Sequence, residues 1–292
     1  MKITKGADRA RIIAVLDDYA GYETSFLAQH GISFLLEIQS GRYFWRILMD
    51  VGQSASPILH NLDILEFSPS SIDAVVLSHC HYDHSVGLTE VLKAIGKKSI
   101  PVIAHPAIFR PNYTFDPFIR RIGITLENGK EAIEAAGGEL VLIDEPVEIA
   151  PGVMTTGEVP RKRDFEEQGI GTYNIEGGKI LPDEIRDDLS LAVKVAGKGL
   201  AVISGCSHAG IINIIDRSKE IAGEEHVDVV IGGFHLIEAS QERIEKTVVA
   251  FDELGVGKVI AGHCTGLAAL CEFRRILGDR FEQLHVGTIV EL

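Results

Sequence analysis

The heptapeptide Ser78-His79-Cys80-His81-Tyr82-Asp83-His84 constrains this chain more than any other stretch. It follows the apolar run Asp73-Ala74-Val75-Val76-Leu77, which reads as a short buried strand. Residues 85–96, with Val86, Leu88, Val91, Leu92 and Ile95 apolar, read as the helix after it. His79, His81, Asp83 and His84 cannot all reach one ion from a straight strand. On a sharp strand-to-helix turn they diverge, so that His79 and His81 grip one ion while Asp83 and His84 reach a neighbour. Imidazole and carboxylate together suit zinc first, with iron and manganese also compatible.

Three further histidines stand at strand ends in the C-terminal half. Apolar runs over 200–204, 227–231 and 258–261 lead into Gly205-Cys206-Ser207-His208, Gly232-Gly233-Phe234-His235 and Gly262-His263-Cys264-Thr265-Gly266. Glycine at such junctions lets the backbone turn sharply and approach a ligand closely. In layered α/β folds, sites gather where strands end and helices begin. Strands over 11–16, 33–38, 43–50, 99–104, 139–144, 189–195 and 284–290, with helices over 131–137, 240–255 and 267–277, complete a regular pattern. Between them, residues 159–188 show no period, which predicts a lid or insertion. Its basic triplet Arg161-Lys162-Arg163 reads either as a solvated cluster or as a contact for an anionic substrate. No break divides the chain, and 1–292 is expected to form a single domain.

The His-X-His-X-Asp-His string resembles the signature of the metallo-β-lactamase superfamily. The resemblance implies a four-layer αββα sandwich of two mixed sheets flanked by helices, each half of the chain supplying one sheet. It implies two divalent metal ions, with His79, His81 and His208 on one, and Asp83, His84 and His263 on the other. Asp50-Val51-Gly52 resembles the superfamily's Asp-x-Gly beneath the metals, a buried carboxylate that orients a ligand imidazole. Two positions depart from the pattern: Glu158 stands where many members carry a histidine, and Cys206 where they carry a bridging aspartate. Either residue is an additional candidate ligand. Together with Gly31-Ile32-Ser33, these motifs resemble one branch, the metal-dependent hydrolases similar to dihydropterin-ribofuranosyl-aminobenzene phosphate synthase.

The resemblance implies a metal-dependent hydrolase using a metal-bound hydroxide on a small anionic ester, phosphoester, thioester or amide. Asp83 and His235 are the candidate catalytic residues, His235 as acid or base. One alternative is a pterin-linked synthase, with Phe109, Tyr113, Phe115 and Phe118 as candidates for an aromatic slot. Another is a non-hydrolytic di-iron redox or sensing module. His30 lines a pocket mouth or is solvated. A net charge of −14 argues against a nucleic-acid partner, which requires a basic face. No apolar run is long enough to cross a bilayer, and the N-terminus lacks a signal-peptide pattern, so the expected location is the cytoplasm. The four cysteines show no C-x-x-C pair and are expected to be reduced.

Overall fold

Alternation of apolar side chains with period two builds the centre of the molecule. In strand Arg9–Leu16, Ile12 and Ala14 face one way and Ile13 and Val15 the other, and all four are fully buried. A strand buried on both faces lies between two packed layers. The computed structural model, which describes residues 5–166 and 171–292, has that arrangement. Of the aperiodic segment 159–188, residues 167–170 lie outside the described residues.

Two seven-stranded mixed sheets stack face to face. The first runs in the order Ile289–Glu291, Arg9–Leu16, Ser33–Ser40, Tyr43–Met49, Ala74–Val76, Ile100–Ala104 and Gly138–Leu142. The second runs Phe281–Gln283, Lys258–Gly262, Val227–Gly233, Gly199–Ser204, Leu191–Val195, Val153–Thr155 and Glu148–Ala150. Phe34, Leu36, Ile47 and Met49 from the first sheet meet Leu191, Val193, Ile203 and Ile231 from the second. Outside the first sheet, helices Ala55–Ile64, Leu88–Ile95 and Lys130–Ala135 form one cover. Helices Ile211–Ala222, Gln241–Glu253 and Leu267–Leu277 cover the second. The layers are therefore helix, sheet, sheet, helix, as expected.

Two details correct the sequence reading. The single strand expected over 284–290 is two strands in different sheets, Phe281–Gln283 and Ile289–Glu291. A turn closed by Thr288 N–H donating to the His285 carbonyl, with Gly287 at φ +85°, carries the chain across. The first sheet thus takes a strand from the far end of the chain. The segment 159–188 also carries order: strands Tyr173–Glu176 and Lys179–Pro182 form a hairpin. It joins Tyr113–Thr114 and Arg120–Arg121 in a small third sheet. These strands are too short to show a period, and their pairing is set by partners distant in sequence.

The strands ending at Leu16, Met49, Val76, Ser204, Gly233 and Gly262 all discharge at one edge of the sandwich. Asn61, fully buried on the first helix, tethers the loop leaving the first of them. Its Nδ2 donates to the carbonyls of Val15 (2.8 Å) and Leu27 (2.9 Å), and its Oδ1 accepts from Leu27 N–H (2.8 Å). Asn61→Ala strands all three groups and should lower stability by about 2–3 kcal/mol. Chemical denaturation checks this; an unchanged unfolding midpoint would show that the tether contributes nothing.

Candidate metal centre

The site is built upward from Asp50, which follows the strand Tyr43–Met49, is fully buried and adopts φ +60°. Left-handed backbone costs a non-glycine residue about 1–3 kcal/mol and persists where surrounding bonds hold it. Here the carboxylate accepts from Ser78 N–H (2.7 Å), Ser78 Oγ–H (2.7 Å) and His84 Nδ1–H (2.7 Å). Ser78 Oγ in turn accepts from His79 Nδ1–H at 2.9 Å. Both imidazoles are thereby oriented with Nδ1–H toward Asp50 and Ser78 and Nε2 toward the cavity. Gly205 makes this possible: a Cβ there would lie 2.3 Å from Ser78 Oγ.

Three sets of donor atoms meet at Cys206, and within each the donor atoms lie within 4.8 Å of one another: Asp83, His84, Cys206 and His263; His79, Cys206 and His208; and Cys206, His235 and Cys264. Asp83 Oδ2 is 3.3 Å from His84 Nε2 and 3.2 Å from His263 Nε2, and Cys206 Sγ is 3.1 Å from His84 Nε2. On the other side His79 Nε2 and His81 Nδ1 are 3.0 Å apart, and the His208 ring centroid is 4.8 Å from that of His79 and 4.9 Å from that of His81. His235 stacks beside His208, with centroids 4.3 Å apart. The structure therefore brings together His79, His81, Asp83, His84, Cys206, His208, His235 and His263, and of the residues nominated as ligand or catalyst it leaves out Glu158. His235 and His263 themselves adopt φ +42° and +48°, so the chain bends sharply to point them inward.

Buried polar atoms ordinarily find partners, and here several have none. Among the described residues, both nitrogens of His208, both of His235, and Nε2 of His81 lack hydrogen-bond partners. Orphaned lone pairs aimed at a common centre, beside a thiol and a carboxylate, fit divalent cations. Protonation differs between the two sides. Burial pulls His79 and His208 well below the usual imidazole range and His81 down to about 3, leaving them neutral. Burial also opposes charge on His84, but Asp83 and Asp50 outweigh it and raise that imidazole to about 9. His263 is likewise raised well above its usual value, burial being outweighed by Cys264, Asp18 and Asp83.

The comparisons with known proteins agree with this geometry. Residues 44–167 match the family described as the metallo-beta-lactamase superfamily. A Methanocaldococcus jannaschii protein named 7,8-dihydropterin-6-methyl-4-(beta-D-ribofuranosyl)-aminobenzene-5'-phosphate synthase is 42% identical over 97% of both chains. The chain belongs to the metallo-β-lactamase superfamily. An uncharacterised protein of the same organism is 34% identical over 96% of this chain and 99% of its own. A crystal structure described as a metal-dependent hydrolase of the beta-lactamase superfamily is 28% identical. It superposes with a TM-score of 0.79 over 97% of this chain and 99% of that one.

Measured against the superfamily pattern, Glu158 is not a ligand candidate. Its carboxylate takes a two-pronged bond from Arg186 (2.9 Å each) and lies outside these donor sets. His208 stands in the space where a third histidine belongs. Cys206, by contrast, belongs to all three donor sets, at the place of the superfamily's bridging aspartate.

Four residues that sequence reasoning did not nominate, Asp18, Tyr82, Tyr173 and Arg120, lie at the site, together with His30, which it had placed either at a pocket mouth or in solvent. Asp18 accepts from His263 Nδ1–H (2.8 Å) and from His30 Nδ1–H (2.9 Å), so it does for His263 what Asp50 does for His84. Its signal was present: Asp17-Asp18 follows a strand end, as the histidines do. His30 joins the site, its Nε2 lying 3.4 Å from Asp83 Oδ2 at the mouth. Tyr82, Tyr173 and Arg120 line the cavity of about 650 Å³ that opens over His81, Asp83, Cys206, His235 and His263. Among the aromatics nominated, Phe115 lines it too, while Phe109 packs against the helical cover of the first sheet and Phe118 is exposed. Tyr113 pairs in the third sheet instead. The basic triplet is elsewhere as well: Arg163 pairs with Asp216, and Arg161 bonds the Glu184 carbonyl.

A buried ionic network steadies the ligand turn from behind. Arg110 holds Asp183 and Asp187 (both 2.7 Å), and Asp187 accepts from the N–H of Cys80, between His79 and His81. Breaking such a network by removing one partner leaves buried charge uncompensated.

A titration prediction follows from the protonation asymmetry. Filling the Asp83–His84–His263 side near pH 7 must expel protons from His84 and His263. Filling the His79–His81–His208 side expels none from its imidazoles, while the Cys206 thiol, raised by burial, gives up one proton to whichever ion reaches it first. Affinity on the first side therefore falls more steeply as pH drops, because protons compete for raised imidazoles. Calorimetric metal titrations in buffers of different ionisation enthalpy should show two phases of unequal proton release, the larger on filling the Asp83–His84–His263 side. Equal proton release in both phases would contradict the assignment.

Proposed function

We propose that the chain is a pterin-linked synthase that binds two divalent ions, joining the 6-methyl carbon of a dihydropterin to the nitrogen of an aminobenzene bearing a ribofuranosyl phosphate, while the bond from that carbon to an oxygen-linked anionic leaving group breaks and the leaving group departs with its electron pair. The observation that carries this reading is the 42% identity to the methanogen synthase across 97% of both chains, gaps in function being hard to hide over such length. The cavity supports it. A volume of about 650 Å³ suits a small-molecule pair, and Tyr82, Phe115 and Tyr173 give its wall aromatic faces.

Ions held by His79, His81, Asp83, His84, His208 and His263, with Cys206 between them, would supply Lewis acidity to the oxygens of the departing group. Zinc, iron and manganese all suit these donors, and the Cys206 thiol favours the softer ions. Asp50 and Asp18 hold two of the imidazoles in register. His235, buried at the cavity wall with both ring nitrogens unpartnered, takes the proton that the arylamine nitrogen loses as the new bond forms.

A second reading, hydrolysis of a small anionic ester or phosphoester, is supported by the 28% identical metal-dependent hydrolase. The same ions would then polarise the substrate for attack by water.

Incubating metal-loaded protein with an activated 6-methyl dihydropterin and 4-(β-D-ribofuranosyl)aminobenzene 5'-phosphate should yield the condensed product, detectable by mass. Turnover of ester or phosphoester substrates with no condensed product would overturn the synthase reading in favour of the hydrolase. For His235, the variant His235→Asn should keep both ions while kcat falls about 10²–10⁴-fold. Metal analysis of the same sample checks the assignment, since loss of an ion would make His235 a ligand instead.

A further inference from the structure

Arg120 is set apart from the other arginines near the site. Arg110, Arg163 and Arg186 are each committed to carboxylates, and Arg161 to a backbone carbonyl. Arg120 makes no ion pair among the described residues, yet it lines the cavity over the metal ligands. Its position is fixed by the third sheet, where Thr114 pairs with Arg120 and Tyr113 with both Arg121 and Tyr173. That sheet brings together two segments about 60 residues apart in sequence, and with Arg120 it carries Phe115 and Tyr173 to the same cavity. The two rings meet edge-on, centroids 5.2 Å apart at 82°. Apart from the histidines, the remaining charged lining is acidic: Asp18, Asp83, Asp116 and Glu238. A guanidinium left unpaired in an acidic cavity of a chain with net charge −14 is placed to meet an anion that the substrate brings.

We propose that Arg120 is a specificity-determining residue that holds the terminal phosphate of a phosphorylated aromatic substrate, whose ring lies against Phe115 and Tyr173. This deepens the synthase reading and rests on it for the identity of the substrate, though not for the chemistry recognised. A guanidinium offers paired N–H donors matched to phosphate oxygens, and charge-assisted bonds of this kind contribute about 1.5–3 kcal/mol, roughly 10–100-fold in affinity.

Binding to the metal-loaded protein tests the assignment with three probes: 4-(β-D-ribofuranosyl)aminobenzene 5'-phosphate, its dephosphorylated counterpart, and phenyl phosphate. Arg120→Ala should weaken both phosphorylated probes about 10–100-fold and the dephosphorylated one less than about twofold, with Arg120→Lys recovering part of the loss. Phe115→Ala should weaken phosphorylated and dephosphorylated ribofuranosides alike. If Arg120→Ala affects all probes equally, or none, the phosphate is held elsewhere and the proposal is overturned. If phenyl phosphate depends on Arg120 while no pterin product forms, the synthase reading fails and the anion subsite stands.

Discussion

A carboxylate with no access to solvent, Asp50, is the constraint on which the rest depends. A buried charge must be compensated, and Asp50 is compensated by the N–H and hydroxyl of Ser78 and by the imidazole of His84. Those bonds can form only if three strands end together: the one before Asp50, the one before Ser78, and the one before Gly205, whose missing side chain leaves room for Ser78. The two sheets are thus locked at one edge by a polar knot beneath the ligands, while apolar packing holds them everywhere else. Folding and site assembly become one event, since the sandwich cannot close with Asp50 unpaired.

Above that knot the donors divide unequally. One side is neutral imidazole throughout, held neutral by burial. The other carries Asp83 among raised imidazoles, with Asp18 and Asp50 behind them. Cys206 stands between the sides and belongs to the donor sets of both. A thiolate there binds softer ions more firmly than the superfamily's aspartate does and brings the same single charge. Cys264, 3.7 Å from the Cys206 carbonyl, shares a third donor set with Cys206 and His235 and helps to raise His263.

Much of this was legible from residues alone, because the strongest signals are local. Strand, turn and histidine adjoin one another in sequence at His79, His208, His235 and His263, and the period of the flanking apolar runs assigns the layers. Asp50 was legible for the same reason. What escaped were features defined by long-range pairing. Asp18 acts on a histidine 245 positions away. The third sheet consists of strands two to four residues long, whose partners no period reveals. The last strand was misplaced because a run of apolar residues does not tell which sheet receives it. Glu158 aligned with a ligand position in the pattern, yet Arg186 claims its carboxylate.

The central claim is that side chains following three strand ends, at Val76, Ser204 and Gly262, cage two ions with Cys206 between them. Anomalous diffraction from crystals of protein loaded with zinc or manganese, recorded above and below the absorption edge, tests it directly. The account predicts two anomalous peaks: one bonded to His79, His81 and His208, the other to Asp83, His84 and His263, each within reach of Cys206 Sγ. A single peak, or two peaks with His208 or His263 outside bonding distance, would contradict it.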